Sequence, residues 1–510
     1  MFILCLLGGL AIVWGWNFFY TMMDKRKVEG EKVCVNGQVA FFDVNKSFYL
    51  VSLSQEDFDK DSLRLKIHCQ DYDTTLIVTP SLNMGVRPVT IVKQKDTLHV
   101  DFTCLPIVSL YYEDLGYVDY TPGEMCVRTD GSFFKTQCLQ RYRGSTSKWR
   151  NLEKKSYGIK LVDEHGKRNV SLLGMRKDNS WILDPMPCDY SRMRNLVSFE
   201  VWKDMDNRYK GIDGKFVEVF VNHEYMGIYC LTEKVDRKQL GLKKAKGKDL
   251  RGALFKCRSN QYPSSFFIQD MTDDSLKAWI QKYPKEDENE IDSWIPLKTT
   301  MDFLNTSSTD EFRERVDSML DVPMMIDNYL FVELLNAFDN IGCNKFVYYQ
   351  DYKKSPQMKM MPWDMDRTWT DMGKEESEWY RERMAKNLVY ARLKRDYPQF
   401  GEKLIERWNV LRKGVFGEME LQSRFETYCN LLKMTGATRR EEAIWRREAY
   451  VDYVPKQSGK DMLLFREPHK QKKYTLVGGQ VFSIEKEVEY IKNYIHVRIE
   501  ELDEKYRKGV

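Results

Sequence analysis

The hydrophobic pattern divides the chain into three parts. Residues 2–23 are apolar apart from Asn17 and Thr21. About 20 such residues suffice to cross a bilayer. Trp14, Trp16, Phe18, Phe19 and Tyr20 form an aromatic cluster at the far end of the run, and Asp24, Lys25, Arg26 and Lys27 close it. The pattern predicts a membrane anchor or signal segment over residues 1–27. The basic residues after the run would hold the C-terminal side in the cytoplasm. A basic start upstream of the given sequence would instead make it an export signal. From about residue 28 to 125 the pattern changes to short β-branched and aromatic runs at 39–44, 48–53, 63–67, 75–78, 90–92 and 97–102, many separated by Gly, Asn or Asp turns. That spacing predicts a β-sandwich-like module.

Beyond residue 125 strands and helices mix. Alternation at 155–161 predicts a strand with Lys155, Tyr157, Ile159 and Leu161 on one face. Runs at 216–221 and 225–231 flank Asn222, His223 and Glu224 as a hairpin. A helix capped by Asp189 or Ser191 is predicted to about residue 205. Another is predicted over 310–320, and a third starts at Asp321, with Pro323 tolerated in its first turn, and runs to Asn336. Runs at 345–350 and 358–361 form a second hairpin. The rest reads as mostly helical: 374–394, 400–415, 418–434, and a last helix in which Ile484, Val488, Ile491, Ile495, Ile499 and Leu502 make one stripe facing the core.

Composition narrows the function classes. The 510 residues are 42% hydrophobic and 31% charged, an ordinary globular balance. Eighty basic against 76 acidic residues give a net charge of +4, too even to argue for a nucleic-acid partner. Eleven cysteines without C-x-x-C pairs and only six histidines give no zinc spacing. The P-loop, dinucleotide-binding and serine-hydrolase motifs are absent from the sequence.

The candidate chemistry lies at 336–369. Asp339 and Asn344 stand five residues apart, and the second hairpin ends in the PWDMD run, 362–366. Closing that hairpin brings Asp339, Asn344 and Asp364 to one end. Two carboxylates and an amide suit magnesium, which takes one or two carboxylates, substrate phosphates and waters. The order also follows the logic of a phosphoryl-transfer loop, with one Asp as base and an Asn and a later Asp as metal holders. The plainer alternative is that Asp and Asn are ordinary turn residues. A second candidate is the loop Arg143-Gly144-Ser145-Thr146-Ser147, which can turn backbone N–H groups and a guanidinium toward phosphate oxygens. Lys155 on an apolar face needs a partner such as phosphate, unless it reaches solvent from the start of its strand.

In order, the motifs RGSTS at 143–147, KKSYGIKL at 154–161, WIL at 181–183, DYSRMRN at 189–195, VFVNHEYMGIYCLTEKVD at 219–236, DNIGCN at 339–344 and PWDMD at 362–366 resemble the CotH kinase-like family. The resemblance covers about residues 141–498. It implies an α+β, atypical protein-kinase-like two-lobed fold, with lobes at about 126–240 and 241–510 and a helical C-terminal part. It implies ATP and Mg2+ or Mn2+ as cofactors, and transfer of the γ-phosphoryl group to Ser or Thr of protein substrates at the cell envelope. Asp339 takes the place of the catalytic Asp. Asn344 and Asp364 take the metal positions, with Asp366 as a second metal contact or a partner for Arg367. Arg143, Gly144, Ser145, Ser147 and Lys155 fall near the phosphates, with Lys154 and Lys160 as alternatives to Lys155. Glu233 falls near the adenine at the lobe crossing. Cys343 departs from the lysine of many relatives. The expected protein is a monomer, secreted or membrane-anchored, and an anchor facing the cytoplasm is the alternative. The competing reading is a non-catalytic surface or coat protein on a kinase-like scaffold.

Overall fold

A computed structural model of the chain describes residues 32–69, 72–80, 86–93, 96–144, 153–246, 249–257, 278–285, 292–370, 373–445, 451–455, 461–465 and 483–509. The leader, Ser145, Ser147 and the glycine pair at 478–479 lie outside them. Among the described residues no helix is long and apolar enough to cross a membrane.

The N-terminal part forms two four-stranded sheets. One contains Val33–Val35 and Leu63–Cys69; the other contains Phe48–Ser52 and Asp96–Thr103. In Leu63–Cys69 burial alternates strictly, so Leu63, Leu65, Ile67 and Cys69 face inward. They share one cluster with Tyr49, Val51, Val100 and Phe102 of the other sheet. This packing arises because period-2 alternation gives each strand one apolar face, which a second sheet must cover.

The boundary expected at residue 125 falls inside a strand. Thr121–Arg128 and Ile107–Tyr111 join a different, eight-stranded sheet. The short runs predicted for the first segment end at 102 and did not include these two strands, which pair with strands farther along. Thr121–Arg128 pairs with Phe133–Arg143, which pairs in turn with Ser156–Asp163. The sequence of pairings continues through Ser180–Asp184, Glu224–Glu233 and Gly214–Val221 back to Ile107–Tyr111. Seven strands therefore make a closed ring of hydrogen-bonded pairs, filled by residues such as Leu110, Val127, Tyr157, Ile159, Leu161 and Val219. The expected hairpin forms part of it: Asn222 (φ 48) and His223 (φ 67) are both left-handed, as a tight two-residue turn between twisted strands requires.

The remaining part is helix-rich and built on a four-stranded sheet that includes Ala253–Cys257, Lys345–Tyr349 and Lys359–Pro362. Asp321 caps the helix Val322–Leu335 by accepting from the Met324 amide at 3.2 Å. That helix ends at Asn336 in a left-handed conformation and so hands the chain to Asp339. The last helix, Ile484–Lys508, buries the predicted stripe. Each of those aliphatic side chains contributes about 1.5–3 kcal/mol by leaving water. The helix expected from Asp189 or Ser191 begins later, at Arg194. Arg192 is left-handed (φ 63), and the Asp189 carboxylate accepts from the Ser191 and Arg194 amides at 2.9 and 2.7 Å, which holds 189–193 as a loop.

Candidate functional site

The second hairpin forms as its apolar runs require, with Lys345 paired to Pro362 and Phe346 to Met361. Its open end carries the site. Asp339 begins a one-turn helix, Asp339–Gly342. Asn344 (φ 49) and Asp364 (φ 59) are both left-handed. Non-glycine residues held there store strain, and such residues gather at functional sites. The Asn344 carbonyl receives the Trp363 amide at 3.0 Å. Asn340 ties the two segments further: its Nδ2 donates to the Asn344 and Trp363 carbonyls, both at 2.8 Å. Asp339, Asn344 and Asp364 are thus brought to one end of the hairpin.

The ring supplies the opposite wall. Asp184, the last residue of Ser180–Asp184, accepts from the Met186 amide at 3.1 Å and from Asn195 Nδ2 at 2.9 Å. Arg143 ends Phe133–Arg143, and its guanidinium lies 5.5 Å from the Trp363 ring centroid. Lys256, from Ala253–Cys257, lies 5.0 Å from the same ring. Trp363 thus presents its π-face to two cations beside Asp364, an arrangement favourable to both. Gly144 (φ 88) begins the predicted phosphate loop in a left-handed conformation suited to glycine.

The charges are crowded. Burial raises the pKa of Asp184; its hydrogen bond from Met186 and the Arg143 charge oppose the rise, and Asp364 adds to it. Burial likewise raises Asp339, against the pull of Arg367, whose guanidinium donates to its Oδ2 at 3.3 Å. Asp366 is raised well above the ordinary carboxylate value, first by burial and then by the Asp364 and Asp184 charges. Burial lowers Lys256, and Asp364 counters it. Asp364 is exposed, while Asp184, Asp339, Asn344, Asp366 and Arg143 are half-buried, as expected for groups lining a cleft. The acids repel one another and favour either protonation or a cation.

Two of the predicted residues have other neighbours in this structure. Lys155 does not join the acids. It precedes the strand Ser156–Asp163, and its ammonium lies 5.9 Å from the Tyr142 ring centroid. Tyr157, Ile159 and Leu161 fill the ring, but the strand starts too late to carry Lys155 in with them. Lys154 is buried on Glu441 at 2.5 Å, and Lys160 lies over the Tyr120 ring at 3.9 Å. The lysine beside Asp364 is Lys256. Glu233 has both carboxylate oxygens engaged: one accepts from the Arg176 amide at 3.1 Å, the other from Gln239 at 3.2 Å. It braces the end of its strand. Sequence reading also missed Asp184, Asn340 and Lys256. The DYSRMRN and DNIGCN motifs pointed to the neighbourhoods of the first two; no local pattern marks Lys256.

Among the described residues no group of three or more His, Cys, Asp or Glu side chains is placed to hold a metal ion by itself. Magnesium does not need one, because it is held by one or two carboxylates plus phosphates and waters. The donor set fits that use: Asp364 and Asp366 as carboxylates, Asn344 as an amide oxygen, with Arg143 and Lys256 as counter-charges for phosphate.

An acidic centre with cations on two walls, drawn from a β ring and a helix-rich part, is the kind of site that takes a phosphate polyanion together with a divalent cation. The chain belongs to the CotH kinase family: the family described as CotH kinase protein matches residues 140–502. No curated protein matches the chain. Membership implies a kinase-like fold and a kinase-like activity on proteins.

Proposed function

We propose that the chain is an ATP- and divalent-metal-dependent kinase that phosphorylates Ser or Thr of surface or exported proteins. The observation that carries this reading is the gathering of Asp184, Asp339, Asp364 and Asp366 between Arg143 and Lys256. The ring of strands, from Ile107–Tyr111 to Glu224–Glu233, and the helix-rich part that follows supply the residues of the cleft, and the apolar leader supports an exported or membrane-anchored site of action.

When bound, the metal neutralises charge on the donor phosphates, and Asn344, Asp364 and Asp366 are the groups that would hold it. Arg143 and Lys256 bind and orient phosphate oxygens. Asp339 takes the proton of the acceptor hydroxyl while that oxygen bonds to the γ-phosphorus and the bond to the β-phosphate oxygen breaks, releasing ADP. Its raised pKa brings the carboxylate closer to the strength such a base needs. Arg367 holds it in place. Positioning and charge stabilisation are most of what phosphoryl transfer requires.

The test is transfer from γ-labelled ATP to a cell-envelope protein fraction, for the full chain and Asp339→Ala. Metal-dependent labelling lost in the variant, with unchanged thermal unfolding, supports the kinase. A folded wild-type chain that labels neither itself nor any acceptor supports a scaffold instead.

A further inference from the structure

The DYSRMRN motif sits outside the roles assigned above, yet its last residue reaches the centre of the site. Asn195 is the second residue of the helix Arg194–Met205 and is buried. Its Nδ2 donates to Asp184 Oδ2 at 2.9 Å, and its Oδ1 accepts from the Met365 amide at 2.6 Å. One side chain therefore joins the end of a ring strand to the peptide that links Asp364 and Met365. That peptide fixes the backbone on which the left-handed Asp364 stands.

The rest of the motif anchors this bridge. Arg194 donates to the Thr368 carbonyl at 2.6 Å and pairs with Asp189 at 2.7 Å and Glu487 at 2.6 Å. Arg192 pairs with Glu441 at 2.8 Å. The helix start is thus bolted both to the loop before it and to the turn 364–369. Position 195 uses both the donor and the acceptor of the amide. Asp would accept from Met365 but repel Asp184, and Leu would leave the buried Met365 amide without an acceptor.

We propose that Asn195 is a positioning residue for phosphoryl transfer, locking the Asp364–Asp366 turn to Asp184 and so setting the spacing between the acids of the ring and those of the hairpin. This rests on the kinase reading for its catalytic consequence, but the lock itself is measurable without activity. Two readouts are compared in wild type, Asn195→Ala and the exchange pair Asp184→Asn with Asn195→Asp, all in the full chain. The first is amide hydrogen exchange of peptides covering 362–369. The second is kcat and KM for MgATP.

In Asn195→Ala exchange of that turn speeds at least tenfold and kcat falls by about 10²-fold, the scale of a misplaced reacting group, while KM changes less than about threefold. The exchange pair restores one donor and two acceptors at the bridge, and it recovers slow exchange. Unchanged exchange in Asn195→Ala, or failure of the pair to recover it, overturns the lock. Faster exchange with wild-type kcat overturns its catalytic role. If wild type shows no transfer yet Asn195→Ala speeds exchange, the kinase reading falls and the lock stands.

Discussion

Two groups of charges in this molecule use the same residue types to opposite ends. The first surrounds the helix Ala437–Trp445. Glu441 is fully buried and accepts from Lys154 at 2.5 Å, Arg192 at 2.8 Å and the Ile228 amide at 2.7 Å. It comes so close to the ring backbone that a Cβ on Gly227 (φ +82) would stand 2.1 Å from its Oε2. Arg440, one residue earlier, binds both oxygens of Glu218 at 2.7 and 2.8 Å and Asp101 of the N-terminal sheets at 2.9 Å. Opposite charges here are matched and hydrogen-bonded, and the helix ties three parts of the chain together. In the cleft, four carboxylates crowd one another, and Asp364 and Asp366 have no hydrogen-bond donor among the described residues. A saturated network holds structure, whereas a crowded like-charge cluster is stabilised by what it binds.

The largest expected effect breaks the cleft. Asp364→Ala lowers transfer by at least about 10³-fold, the lower end of what a charge-stabilising group contributes in phosphoryl transfer. The same change shifts the melting temperature little, because the like charge removed from Asp184 and Asp366 offsets the counter-charge lost to Lys256; steady-state kinetics and a thermal scan check the two halves.

Next comes the other network. Glu441→Ala strands Lys154 and Arg192 without their acceptor and costs about 3–5 kcal/mol of stability, read from denaturant unfolding. Activity per folded molecule falls by less than the roughly 10²-fold expected for Asn195→Ala, because Arg194 still anchors the bridge. Equal stability would place the clamp among weak surface contacts.

A smaller contrast separates the lysines. Lys256→Ala raises KM for MgATP by roughly 10- to 100-fold, the scale of one charge-assisted hydrogen bond. Lys155→Ala leaves it within about twofold, since Lys155 lies outside the acid cluster.

The smallest effect is on the pH dependence of the metal-free protein. Asp184, Asp339 and Asp366 have folded pKa values raised above the ordinary value. The stability they contribute is complete below the unfolded carboxylate pKa and is lost as pH rises through the raised folded values. Each group adds a slope of at most about 1.4 kcal/mol per pH unit. Asp366→Asn flattens this fall in thermal scans between pH 4 and 8, and magnesium does the same for wild type.

Much of this was legible in the sequence where the signal is local. Asp339, Asn344 and Asp364 lie on one hairpin, so apolar runs and a turn sufficed to bring them together. The last helix and the Asn222–His223 turn follow from periodicity and left-handed turn residues. What escaped depends on contacts between distant segments. Asp184 meets Asp364 across 180 residues, the difference of their numbers. The ring closes through Ile107–Tyr111 and Gly214–Val221, a parallel pairing that no turn announces. Alternation gives a face but not the point at which a strand begins, and this one begins at Ser156, one residue after Lys155. Lys154, its neighbour, is committed to Glu441, 287 positions later.

The most direct test is calorimetric titration of the full chain with ATP, with and without Mg2+, for wild type and Asp364→Ala. Saturable binding that needs the metal and disappears in the variant is the expected result. Equal binding by both proteins, or none by a folded wild-type chain, would contradict a metal–nucleotide cleft centred on Asp364.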